Sequence, residues 1–295
     1  MIKNLHLYKE EAIFNRKAKP LQSILKPLRV GKYFFLTRLP FITKRTIPAK
    51  AKLFFDFDLI GEFPDPVFSF AYLHFFLEED LTSVLLKYLK PGMTFIDAGA
   101  HIGYFSILGS ILVGKKGRVY SLEVTPNTIK FLKANTEKLD NVLVVQKGVW
   151  SSNKQMQFLD YGPFFAPCNS FTEGKIADSI LKDLKPKRFK VETTSLDSFC
   201  EKNKIKPDFI KIDVESAEYE ALKGMKKILT KYKPIVSIEI GDKPDSKVKG
   251  SKECIKLLEY YGYEPYNFVD GKVVKHKLRD DYYLMFGNLL FLPKK

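Results

Sequence analysis

An apolar run from Thr94 to Ala98 breaks into Gly99-Ala100-His101-Ile102-Gly103 and passes at once into a helical period, Tyr104 to Leu112. A strand that turns through glycines into a helix rejoins its sheet by a right-handed crossover, so the next strand runs parallel to it. The chain repeats that unit. Arg118 to Glu123 reads as a strand, Pro126 to Leu139 as a helix opened by Thr125 and Pro126, and Val142 to Val149 as a strand. Residues 150 to 190 interrupt the rhythm with Gly, Pro, Ser and aromatics. Lys190 to Leu196 then alternates like an edge strand and Asp208 to Val214 reads as a buried one. Ala217 to Leu229 follows as a helix, Pro234 to Ile240 as a strand and Cys254 to Tyr261 as a helix. Tyr263 to Phe268 and Asn288 to Leu292 close the sheet as an antiparallel hairpin. The expected fold is α/β: a mostly parallel sheet with helices on both faces and that C-terminal hairpin.

What precedes the repeat differs in kind. Between Met1 and Lys52 about 13 Lys and Arg face only Glu10 and Glu11, roughly +11 of the total of +15. Pro20, Pro27, Pro40, Pro48 and Pro64 interrupt residues 1–65. Residues 1–65 are therefore expected to form a basic arm, irregular with short helices, ahead of a globular domain over 66–295. Within the domain, Leu81, Val84, Leu85, Tyr88 and Leu89 share one face of a helix from Glu78 to Lys90, which Pro91-Gly92 ends. Within the arm, Lys26, Arg29, Lys32, Arg38, Lys44 and Arg45 alternate with Tyr33, Phe34, Phe35 and Phe41. Three roles suit that pattern: a solvated extension packed on the domain, a contact with an anionic membrane surface, and a contact with nucleic acid.

Composition excludes several classes. With 45% hydrophobic and 28% charged residues the chain resembles an ordinary folded protein and not a disordered or collagen-like one. Cys168, Cys200 and Cys254 are odd in number and in no ligand spacing, so neither a disulfide framework nor a structural zinc site is indicated. Phe95 to Gly114, the longest weakly charged stretch, holds Asp97, His101 and several glycines, which reads as strand, loop and helix and not as a membrane span. The N-terminus shows no apolar leader with a small-residue cleavage site. A cytoplasmic location is expected, with peripheral attachment to a membrane through the arm left open.

In sheets of this kind ligands bind beyond the C-terminal strand ends. The loop after the first strand opens on Asp97, and Gly99 and Gly103 permit a tight turn with close backbone approach. Ala100, His101 and Tyr104 complete a cofactor-binding loop whose helix offers free N–H groups to an anion. Glu123 ends the second strand, 26 residues after Asp97, where a carboxylate accepts both hydroxyl hydrogens of a ribose. A dinucleotide loop has GxGxxG spacing and no acid ahead of it. Here an acid opens the loop and the glycines are four apart, an arrangement suited to the amino-acid ammonium of S-adenosylmethionine.

The runs TFIDAGAHIGYFS, RVYSLEVTP, NVLVVQKGVW, TTSLDSF, DFIKIDVESAEYEALKG and PIVSIEI resemble the FkbM family of S-adenosylmethionine-dependent methyltransferases over roughly residues 77–241. The resemblance implies the class I methyltransferase, Rossmann-like fold and O-methylation of hydroxyl groups on sugars, lipid-linked glycans and natural products. His101 stands where the family usually has Asn, Val124 interrupts its Glu-Pro, and Ser216 replaces the Gly of DVEG.

Methyl transfer from a sulfonium to a hydroxyl is an in-line displacement that needs positioning and a base for the hydroxyl proton. Lys211, Asp213 and Glu215 share one strand face, so Asp213 and Glu215 are candidate catalytic carboxylates. Asp213, also placed against the cofactor, is the first choice for base or substrate contact. Either acid alternatively caps the helix near Ala217 or pairs with a lysine. Two carboxylates this close also leave a divalent cation open, although no metal-ligand spacing asks for one. Glu239 offers a third catalytic carboxylate at the same rim, and His101 is a weaker candidate base. Trp150, with Gly148 and Val149, follows the third strand where adenine would stack. In the resembling family the stretch matching Asp160 to Glu173 lies by the active site, which makes it an acceptor lid or else an ordinary surface loop.

The leading expectation is an O-methyltransferase for a sugar, glycolipid or other small-molecule hydroxyl. The alternatives are an RNA 2'-O-methyltransferase and an inactive membrane- or partner-binding scaffold. Nucleic acid is disfavoured because the positive charge lies outside the core and no RNA-binding module signature is present.

Overall fold

The computed structural model describes residues 20–171, 185–241, 249–269, 272–280, 282 and 287–294. Helix α1 (Pro20–Thr43) leads into a hairpin of β1 (Ile47–Lys52) and β2 (Asp58–Phe63), then α2 (Pro66–His74) and α3 (Glu79–Tyr88). The alternating part follows with β3 (Thr94–Ala98), α4 (Tyr104–Val113), β4 (Arg118–Leu122), α5 (Pro126–Thr136) and β5 (Val142–Val145). Next come β6 (Gly148–Val149), β7 (Lys154–Asp160), a 3-10 turn (Pro163–Cys168) and β8 (Lys187–Thr194). The chain then forms α6 (Leu196–Asn203), β9 (Phe209–Ile212), α7 (Glu218–Lys223), α8 (Lys226–Lys231), β10 (Ile235–Ile240) and α9 (Ser251–Tyr260). It finishes with β11 (Tyr263–Val269), β12 (Lys272–Lys275) and β13 (Gly287–Pro293).

The central sheet has the order β12-β11-β13-β10-β9-β3-β4-β5. From β10 to β5 it is parallel, and β13, β11 and β12 add antiparallel strands at the other end. Period-2 alternation sorts the strand residues into two hydrophobic clusters, one on each face. Phe95, Val119 and Phe209 join α3 and α4 in one; Ile96, Ile210 and Phe291 join α6, α7, α8 and α9 in the other. This is the α/β architecture expected from the sequence. Burial on both faces explains why β3 and β9 are apolar apart from Thr94, Asp97 and Lys211.

Three expectations need correction. Over its described residues the arm is not irregular: α1 spans 24 residues despite Pro27 and Pro40, and β1 and β2 form a regular hairpin. Ala51, Leu53, Leu59 and Phe63 of that hairpin lie in the same cluster as Leu81, Phe95 and Phe105, so residues 47–63 pack as part of the body. The stretch after β5 is not loop alone, because β6, β8 and β7 make a second sheet in which β8 is the central strand and not an edge. The expected helix from Ala217 to Leu229 is broken at Gly224, where a Cβ would stand 2.5 Å from the carbonyl oxygen of Trp150. Among the described residues no helix is long and apolar enough to cross a membrane.

Candidate active site

The chain leaves β3 toward β4 and β5 and returns on the other side through β9 and β10, so strand order reverses beside β3. A cleft of about 890 Å³, part of it open to solvent, lies there beyond the C-terminal strand ends. Its wall brings together Gly99, Ala100, His101 and Tyr104 after β3, Glu123 after β4, Gly148 and Val149 of β6, and Asp213 and Glu215 after β9. Four residues marked from the sequence do not line it: Asp97, Gly103, Trp150 and Glu239.

The glycine turn is shaped by its neighbours. Gly99 has φ +78, and a Cβ there would run into the backbone carbonyl of Asp213. His101 is left-handed at φ 49, a conformation that Asn and His tolerate better than most residues. Gly103, at φ 96, is the N-cap of α4 and supplies no side-chain hydrogen bond to it. The start of α4 therefore carries no side-chain cap and presents the positive end of the helix dipole.

Glu123 serves the loops first. Its Oε1 accepts from the backbone N–H groups of Val124 (2.8 Å) and Thr125 (2.7 Å), and its Oε2 from that of His101 (2.8 Å). A carboxylate has about four acceptor sites, so one remains on Oε2 for a ribose hydroxyl, half the capacity expected from the sequence. The His101 ring stands 3.3 Å from Asp65, whose other oxygen accepts from Phe68 N–H and caps α2. Burial alone lowers the His101 pKa; the carboxylates of Asp65, Glu123 and Asp213 outweigh it and raise the value.

Asp97 lies under the cleft, fully buried, and does not line its wall. The register explains its partners: it sits beside Lys211 on β9 and Ser121 on β4. Ser106 Oγ donates to its Oδ2 at 2.6 Å, and Ser121 Oγ donates to Ser106 Oγ at 2.7 Å. Lys211 Nζ lies 3.5 Å from Asp97 and 3.2 Å from Asp213, and donates to the carbonyl of Gly99 at 2.8 Å. Burial disfavours the ammonium, but Asp213, Asp97 and Glu78 overcome that and hold its pKa above the usual lysine range. Lys211 thus ties the glycine turn to the strand carrying Asp213.

The residue that sequence reading missed is Glu78. It lines the cleft from the start of α3 in a left-handed conformation, φ 36, and accepts from Asn288 Nδ2 at 2.5 Å. Its side chain is exposed, and partial desolvation at the cleft wall together with the charge of Asp213 pushes its carboxyl up to about 7. In the sequence it reads only as one of several acids opening a helix. Glu239 pairs with Asn288 across β10 and β13, behind the cleft wall. Desolvation, then the charges of Asp213 and Glu215, raise its carboxyl well above the usual range. After β9, Glu215 (φ 53) and Ser216 (φ 68) are both left-handed, and Glu218 accepts from Val214 N–H and Ser216 N–H at 3.1 Å. A glycine would hold the Ser216 position without strain.

Trp150 does not offer its ring to the cleft. It packs against Phe171 with centroids 5.3 Å apart, and Phe171 lines the wall beside Gly148. Ala166, Asn169 and Phe171 place part of the 160–173 segment on the cleft; residues 172 and 173 fall outside the described residues. A second recess of about 330 Å³, much of it open to solvent, shares Ile102, Thr125, Ala166 and Asn169 with the first. Glu62, Asp65, Asn127 and Asp160 give it carboxylate and amide groups, with Phe131 as an aromatic wall. Among the described residues no three His, Cys, Asp or Glu side chains converge as a metal site.

A model of the methyltransferase FkbM domain matches residues 97–265. Hexuronic acid methyltransferase AglP of Haloferax volcanii is 28% identical over 191 residues, covering 61% of this chain and 72% of that protein. Ribosomal RNA large subunit methyltransferase E of Bdellovibrio bacteriovorus is 28% identical over 179 residues, 57% of this chain and 79% of that one. The crystal structure of methyltransferase FkbM from Methylobacillus flagellatus superposes with a TM-score of 0.42 at 17% identity, covering 68% of this chain and 43% of that chain.

Proposed function

The chain belongs to the FkbM methyltransferase family, and from that premise we propose that it transfers the methyl group of S-adenosylmethionine to a hydroxyl of a neutral, sugar-like acceptor. The observation that supports the proposal is that the cleft over the glycine turn shares four wall residues with a neighbouring recess lined by Glu62, Asp65, Asn127, Asp160 and Asn169. Carboxylates and amides accept and donate to hydroxyls, while three acids side by side repel an acceptor that carries its own carboxylate.

The cofactor fits the residues present. Gly99 leaves the space a Cβ would fill, the α4 N-terminus and the positively biased His101 suit a carboxylate, Glu123 keeps one acceptor for a ribose hydroxyl, and Gly148, Val149 and Phe171 give an apolar wall for a base. When bound, S-adenosylmethionine supplies an electrophilic methyl on a sulfonium sulfur. Asp213 orients the acceptor hydroxyl, and Glu78, with a carboxyl near 7, takes its proton at neutral pH. Lys211 stays charged beneath them and offsets the surrounding acids. The RNA reading has less support, since Lys211 is buried between carboxylates and is not open to a phosphate.

The test is calorimetric titration with S-adenosylhomocysteine, with NAD as control, followed by transfer of labelled methyl to neutral hexosides, the matching uronates and an RNA oligonucleotide. Binding of the first ligand alone and labelling of the hexosides is the expected result. Absence of binding by the folded protein sinks the cofactor assignment, and labelling of uronate or RNA in preference sinks the acceptor assignment.

A further inference from the structure

Helix α1 is apolar on two opposite sides. Toward the body, Tyr33 and Leu36 pack against the core and Pro40 is buried, with α1 resting on α2 and β2. Outward, Phe34 is 49% exposed, Phe35 63%, Phe41 57% and Ile42 80%. Successive helical residues turn by about 100°, which puts these four and Arg38 on one arc of about 120°. Scattered apolar residues on a surface need no explanation; a cluster of this size on one face marks a contact.

The charge around the arc names the partner. Lys32, Arg38, Lys44, Arg45 and Lys50 are all exposed, and no acidic residue stands between Glu11 and Asp56. Arg38 lies over the Phe34 ring, 5.3 Å from its centroid, so cation and aromatic occupy the same patch. An apolar face fringed by cations and lacking anions is complementary to a bilayer interface, where rings enter the acyl boundary and Lys and Arg reach the phosphates. We propose that the outer face of α1 docks on an anionic lipid bilayer. Phe41 also packs edge-on against Phe164, centroids 4.9 Å apart, in the 3-10 turn whose Ala166 lines the cleft. The docked face is therefore next to the cleft rim. Docking does not depend on the methyl-transfer chemistry.

The experiment is co-sedimentation of the full chain with vesicles of phosphatidylcholine alone or mixed with phosphatidylglycerol, at low and high salt. The variants are Phe35→Ser/Ile42→Ser and Arg38→Glu, which change exposed side chains only, with S-adenosylhomocysteine binding as the check on folding. The expected result is at least about tenfold more binding to the anionic vesicles, falling with salt and falling at least about tenfold in the double variant. Equal sedimentation of wild type and double variant overturns the proposal. So does displacement by an RNA oligonucleotide whose binding ignores Phe35 and Ile42, which would make the face a nucleic-acid contact. A wild-type dimer abolished by the double variant without vesicles overturns it too, in favour of self-association.

Discussion

The backbone carbonyl of Asp213 fills the volume in which a side chain on Gly99 would begin. Two chain segments far apart in sequence thus meet without room for one methyl group, and Gly99 is left-handed besides. Gly99→Ala should cost about 3 kcal/mol in urea unfolding and abolish S-adenosylhomocysteine binding. At Gly103 a Cβ meets only the flexible end of Leu132 at 2.8 Å, so Gly103→Ala should cost about 1–2 kcal/mol, mostly from its φ, and retain measurable binding.

Lys211 is the counter-charge for two carboxylates in a buried setting. Lys211→Met should destabilise by about 3–5 kcal/mol, because it strands Asp97 without its cation. Adding Asp97→Asn to that variant should recover part of the loss, and a double-mutant cycle in denaturant measures how much.

Glu78 sets a pH dependence. Its carboxyl rises from 4.5 to about 7 on folding, so the native state holds that proton more tightly than the unfolded chain. Its contribution is therefore neutral below the lower value and becomes a cost as pH climbs through the window to the higher one. Glu78→Gln should be more stable than wild type at pH 8, with the difference vanishing at pH 4. In turnover assays the rate should rise through about pH 7 in wild type, and that limb should be absent in the variant.

Phe171, and not Trp150, faces the cleft. Phe171→Ala should weaken S-adenosylhomocysteine binding about tenfold, whereas Trp150→Phe should leave it within about twofold. Equal effects of the two substitutions in calorimetry would reverse that assignment.

Ser216 holds a left-handed backbone with a side chain attached. Ser216→Gly should gain roughly 0.5–1 kcal/mol, the relieved strain less the extra freedom of glycine in the unfolded chain. Thermal unfolding reads it directly.

The sheet was legible because its strands are apolar runs cut by glycine and proline, and their period survives without knowledge of neighbours. Gly99, Glu123 and Asp213 were legible for the same reason, each sitting where a strand stops. Glu78 was not, because its role comes from Asn288 and Asp213, neither of which is near it in sequence. Trp150 misled because a strand end fixes where a residue is but not where its ring turns, and Phe171 holds the wall. In α1, two prolines suggested a broken arm; packing of Tyr33 and Leu36 on the body supports the helix nonetheless.

The rung that pairs Asp97 with both Ser121 and Lys211 also orders events in time. A nascent chain that has emerged through β5 already carries the whole glycine turn and Glu123, yet it lacks the lysine that Asp97 requires and the strand that covers one side of β3. Ligand competence should therefore arrive late, when β9 adds to the open edge of β3. No fragment ending before Lys211 is a working half of the site, and separately expressed halves should regain binding only by completing that rung in trans.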